Sequence, residues 1–193
     1  MSLPRGFKAN AERESLRLRG ELGLRPTQAL DITKLADYMD VDIISAGDLI
    51  DVARLEELER IQAYSFSAAT FEVGGRTIIV SSPLRVSGRL ASDIAHELSH
   101  LLLKHELSEV REISGVPFRT CRPEEEEQAT NFGGTLLLPR LLLVAAARSG
   151  LGPEEIAEKY DLTVEMARFR YNSTGVRSQM AARGRRVAVA LQG

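Results

Sequence analysis

Apolar positions along the chain recur first at helical spacing and then at strand spacing. Residues 10–58 read as helical segments, with Leu16, Leu18, Leu22 and Leu24 leading to a turn at Arg25-Pro26. A second helix is expected to start at Asp31 or Thr33, whose side chains can accept its first free backbone N–H groups, and to carry Leu35, Ala36 and Met39. Val41-Asp42-Ile43-Ile44 begins by alternating and predicts a short strand. Leu49, Val52, Leu55 and Leu58 return to helical spacing and predict a polar helix between Asp48 and Arg60. Over residues 62–81 the character changes. Ala63, Tyr64, Phe66, Phe71 and Val73 lead to Gly74-Gly75, and Thr77-Ile78-Ile79-Val80 follow. Two β-rich runs around paired glycines predict a hairpin, because glycine tolerates the positive φ of a tight turn.

Leu90, Ile94, Leu98, Leu101 and Leu102 restore a helical stripe from Arg89 to about His105. A polar loop is expected next, through Ser114-Gly115 and Val116-Pro117. Pro123 suits the first turn of another helix, and Glu124 to Glu127 suit its positive end. That helix should stop before Pro139, with further helices near 140–148, 153–160 and from Thr163.

Composition narrows the class. Of 193 residues, 44% are hydrophobic and 27% charged, the balance of a globular chain with a real core. A net charge of −2 gives no electrostatic reason to coat nucleic acid or a membrane. The single cysteine, Cys121, can form neither an internal disulfide nor an all-cysteine metal site, which favours a reducing compartment. The N-terminus lacks the apolar core of a secretory signal. The most apolar stretch, Leu136 to Ala147, is interrupted by Pro139 and Arg140 and falls short of the roughly 20 residues a bilayer requires. A cytoplasmic protein without membrane contact is expected.

The chemistry lies in His96-Glu97-Leu98-Ser99-His100, an H-E-x-x-H motif inside the most periodic helix. Residues four apart on a helix stand one above the other, roughly 6 Å apart, so two imidazoles can share one metal ion. Glu97 projects beside them, where it can take a proton from water polarised by that ion. Two of the chain's three histidines occupy these positions. A catalytic zinc site takes three protein ligands and keeps one position open. His105 lies five residues past His100, off the metal-facing stripe, and reads as incidental. The third ligand is sought in the glutamate run. Glu126 shares a face with Ala129, Thr130, Gly133 and Leu137, small residues that would let its helix approach the zinc helix. Glu125 and Glu127 remain alternatives on neighbouring faces.

Two blocks resemble the ImmA/IrrE family of metallopeptidases: Ser92 to Leu103, spanning the motif, and Glu126 to Pro139, close to an E-x-x-A-x-x-F-A pattern ending in L-L-x-P. The resemblance implies that His96, His100 and Glu126 hold one Zn2+ per chain, in the manner of gluzincins, with Glu97 as the catalytic acid/base. Ser99, Gln128, Thr130 and Gly133 depart from the family's common residues, and none removes a required group. It further implies that the strand before the zinc helix, Arg76 to Val80, lines the cleft, so that Ile78, Ile79 and Val80 either pair with an extended substrate or form a plain core strand. The implied substrate is a helix-turn-helix repressor, cut to release mobile-element or stress genes.

Pro153 to Ala167 itself resembles a helix-turn-helix, although Asp161 stands where most such turns use glycine. From Met166 onward come Arg168, Arg170, Arg177, Arg183, Arg185 and Arg186, with no acid among them. Direct DNA contact is one reading of this basic end. The favoured one is a two-helix lid over the cleft followed by a solvated tail. Tyr160, Tyr171 and Arg170 are unranked candidates for stabilising an oxyanion. The expected architecture is therefore α+β: a mainly helical, zincin-like domain at 1–150 with a small β-sheet beside the H-E-x-x-H helix, then a helix-turn-helix-like subdomain and basic tail at 151–193. A peptidase reading competes with that of a DNA-binding regulator or toxin–antitoxin partner holding a structural metal. Glu97 favours hydrolysis, since a structural site needs no carboxylate beside its ligands.

Overall fold

The computed structural model describes residues 3–63, 65–105, 109–113, 116–120 and 122–182, with side chains outside the two short segments 109–113 and 116–120. Tyr64, Cys121, Ser114-Gly115 and the arginines at 183, 185 and 186 lie outside the described residues.

The first helix, α1 (Phe7–Glu21), starts earlier than its leucines suggest, because Phe7, Ala11, Ser15 and Leu18 form its buried face. Asp31 caps α2 (Ile32–Tyr38) by accepting from Thr33 N, which settles the choice between the two starts. Strand β1 (Val41–Ser45) follows, then a tight turn at Ala46–Asp48 and α3 (Val52–Ile61), capped by Asp51.

The Gly-Gly hairpin is present as β2 (Ala68–Val73) and β3 (Arg76–Ser81), with Gly74 and Gly75 both at positive φ. Strand β3 pairs in parallel with β1 on its other side, giving the order β1-β3-β2. The central position of β3 overturns one expectation. Ile78, Ile79 and Val80 have their backbone groups committed to neighbours on both sides, and Ile79 is fully buried. No substrate strand can pair there; among the described residues the edges of this sheet are β1 and β2, and of the two it is β2 that packs against α4.

Helix α4 (Ser87–Leu103) carries the motif and buries Ile94, Ala95, Leu98 and Ser99. Ser99, fully buried, donates its hydroxyl to Ala95 O at 2.6 Å. The expected loop after α4 instead holds an antiparallel hairpin, β4 (Glu109–Ile113) and β5 (Val116–Thr120). Pro117 lies within β5, where proline is tolerated because every strand of a two-stranded ribbon is an edge.

Helix α5 (Pro123–Leu137) ends before Pro139 as expected, and α6 (Arg140–Arg148) continues after a 48° bend. The carbonyls left open at that break are buried, so they need donors. Two arginines supply them. Arg19 of α1 donates to Leu136 O at 2.7 Å, and Arg170 of α8 (Val164–Ser173) donates to Leu138 O at 3.1 Å. Burial pulls Arg19 down to about 10, still charged at neutral pH.

Between α6 and α8 lies α7 (Pro153–Lys159), and residues 176–182 are again helical. Asp161 takes φ 49° at the α7–α8 turn, so the aspartate adopts the left-handed conformation usually left to glycine. Ser87 donates to its carboxylate at 2.8 Å, and Gly88 leaves room for the Leu162 backbone, which a Cβ would meet at 2.8 Å. The turn thus docks on the start of α4. Ile156, Ala157, Ala167 and Val176 join the same buried cluster as Leu35, Leu98 and Phe132, so the core runs on past residue 150. The architecture is α+β and mainly helical, with a small sheet beside α4. Among the described residues no single helix is long and apolar enough to cross a membrane.

Candidate metal centre

The site arises where α4 and α5 approach most closely. Gly133 is the reason they can: a Cβ there would lie 3.1 Å from the Ala95 carbonyl and the His96 nitrogen, backbone atoms that cannot swing aside. One turn from Gly133 toward the start of α5 is Thr130, and one turn further is Glu126, which reaches across to the two histidines of α4.

His96 Nε2 and His100 Nε2 are 3.0 Å apart. Glu126 Oε2 lies 3.1 Å from the first, and Glu126 Oε1 lies 3.6 Å from the second. A tetrahedral ion with bonds of about 2.0–2.1 Å needs its ligand atoms roughly 3.3 Å from one another. The separations bracket that value, and two imidazole nitrogens with one carboxylate are a donor set zinc takes. The residues fit the ion, and these three are the cluster among the described residues able to hold one. Hydrogen bonds to His100, and then to His96, hold the Glu126 carboxyl well below the ordinary carboxylate range. Glu125 instead accepts from the Arg122 N–H at 3.0 Å, closing the start of α5.

Glu97 lies beside the cluster, and the Thr70 hydroxyl of β2 donates to its Oε2 at 2.7 Å. No feature of the sequence singled out Thr70; it becomes visible only once β2 is placed against α4. Each of the two candidate histidine ligands also has a partner on its other ring nitrogen. Thr130 Oγ1 is 3.4 Å from His96 Nδ1, and His105 Nδ1 is 3.0 Å from His100 Nδ1. His105 is therefore not incidental. Helical counting failed because α4 ends first: Lys104 turns left-handed at φ 55°, and His105 N–H returns to His100 O at 3.0 Å. The reversal lays the third imidazole on the second. Burial, and next the charge of His100, push His105 below the usual imidazole value.

A cleft of about 350 Å³ opens beside the centre, lined by Ser67 and Ala68 before and in β2, Asp93, His96 and Glu97 of α4, and Met166 of α8. Asp93 accepts from Arg89 at 2.9 Å, and burial pushes its carboxyl up. Tyr160, Tyr171 and Arg170 do not line this cleft; Tyr160 borders a separate hollow with Asp31 and Leu137. Arg170 is buried against Glu12 at 2.7 Å, and Arg168 pairs with Glu154 at 2.5 Å.

The family model described as the IrrE N-terminal-like domain, Peptidase M78, matches residues 55–172, more than half of the chain. No curated protein matches significantly. Among solved structures, a Mycobacterium tuberculosis transcriptional regulator is similar in fold, with a TM-score of 0.51 and 16% identity over 86% of this chain. The chain spans 46% of that regulator's length, less than half. With the motif, the second helix and the matched family region in agreement, the chain belongs to the ImmA/IrrE family of metallopeptidases.

Proposed function

We propose that the protein is a zinc-dependent endopeptidase that cuts a helix-turn-helix transcriptional repressor at a single bond and so releases mobile-element or stress genes. The observation that carries this reading is Glu97, seated beside a three-ligand cluster and held there by Thr70. A purely structural metal site needs neither the carboxylate nor the hydroxyl that orients it.

His96, His100 and Glu126 would hold the ion. Zinc, when bound, polarises the scissile carbonyl and lowers the pKa of a coordinated water toward about 7. The chain's own groups do the rest. With Oε2 accepting from Thr70, Glu97 keeps Oε1 to take a proton from the attacking water and then pass it to the leaving amine. The outer edge of β2 offers backbone groups to an extended substrate, the role expected of β3 and moved one strand outward. Ser67, Asp93 and Met166 shape the space for a substrate side chain. Met166 supports the lid reading of α7 and α8, since α8 forms one wall of the cleft. The pairing of Arg168 and burial of Arg170 weaken the DNA-binding alternative.

Incubating zinc-loaded protein with the repressor encoded beside it is expected to yield two fragments, and the Glu97→Gln variant none. Equal cleavage by that variant contradicts the mechanism.

A further inference from the structure

His100 presents its two ring nitrogens to different neighbours. Nε2 faces His96 and Glu126, at 3.0 Å and 3.6 Å, while Nδ1 faces Nδ1 of His105 at 3.0 Å. A neutral imidazole carries one N–H. For Nε2 to offer its lone pair to a cation, the proton must sit on Nδ1, and that half-buried N–H then needs an acceptor. His105 Nδ1 can accept only if its own proton sits on Nε2. Gln128, which hydrogen-bonds His105 from α5, carries an amide oxygen able to accept there.

We propose that His105, supported by Gln128, is a positioning residue that fixes His100 as its Nδ1–H tautomer and turns Nε2 to zinc. The proposal rests on reading His96, His100 and Glu126 as the zinc ligands. The relay joins the end of α4 to α5, the two helices that supply those ligands, so it also holds their spacing. An apolar residue at 105 would fill the same volume without accepting the proton.

Zinc affinity, measured by competition with a fluorescent chelator, separates the two roles. His105→Leu is expected to bind zinc about 10–100-fold more weakly than the parent protein. His105→Asn should recover most of that loss, because its amide oxygen accepts a hydrogen bond. The metal-free proteins should melt together. In zinc-loaded parent protein, long-range 1H–15N spectra should show His100 protonated at Nδ1 and His105 at Nε2. Unchanged affinity in His105→Leu, or a His100 proton on Nε2, overturns the proposal while leaving the ligand set intact. Zinc binding equally absent from parent and His100→Ala overturns the ligand set, and the proposal with it. If His105→Leu does not fold, the tautomers in the parent protein decide alone.

Discussion

Two regions of this chain carry charged residues that invite a functional reading, and the structure treats them oppositely. Between α4 and α5, Gly133 lets two backbones touch, and the polar side chains around it converge on a point open to the cleft. At α8, arginines that read as a basic face find partners within the molecule: Arg170 is buried, closes the end of α5 and pairs with Glu12, while Arg168 pairs at the surface with Glu154. Charge alone distinguishes neither region. What separates them is whether the polar atoms complete one another or leave a position for something else.

The contrast breaks most readily at Glu97. Glu97→Gln is expected to lower repressor cleavage about 10²–10⁴-fold while retaining zinc, as metal analysis alongside a matched cleavage assay would reveal. Arg170→Ala should destabilise the fold by about 3–5 kcal/mol in denaturant unfolding, because Glu12 and the Leu138 carbonyl lose a buried partner. A loss near zero would return Arg170 to the pool of surface cations. Gly133→Leu should cost about 1–3 kcal/mol and weaken zinc binding together, since the added side chain drives α5 off the Ala95 backbone. Smallest is Arg168→Ala, below about 1 kcal/mol, because both partners of its ion pair are exposed.

Much of the site was legible in the sequence because helical periodicity dictates it. His96 and His100 are one turn apart, and Glu126, Thr130 and Gly133 share a face of α5, so neither set depends on distant parts of the chain. Helix starts were read well at caps such as Asp31, Pro123 and Thr163, whereas the helix expected from Asp48 starts only after its cap at Asp51. What stayed hidden depends on tertiary placement. Strand order decides whether β2 or β3 presents an edge, and no pattern within Arg76–Val80 records that β1 returns to pair beside it. Thr70 matters only because β2 lies against α4. His105 was misread because the spacing rule was carried past the left-handed residue that ends the helix. Asp161 shows the converse: a non-glycine at a turn took the required conformation, stabilised by Ser87 from another helix.

The central claim concerns three side chains sharing one ion, and metal content tests it most directly. After zinc loading and exhaustive dialysis, the parent chain and Glu97→Gln are each expected to keep about one zinc per chain, while His100→Ala and Glu126→Ala keep almost none. Full zinc retention in both His100→Ala and Glu126→Ala, or none in the parent chain, would contradict the assignment.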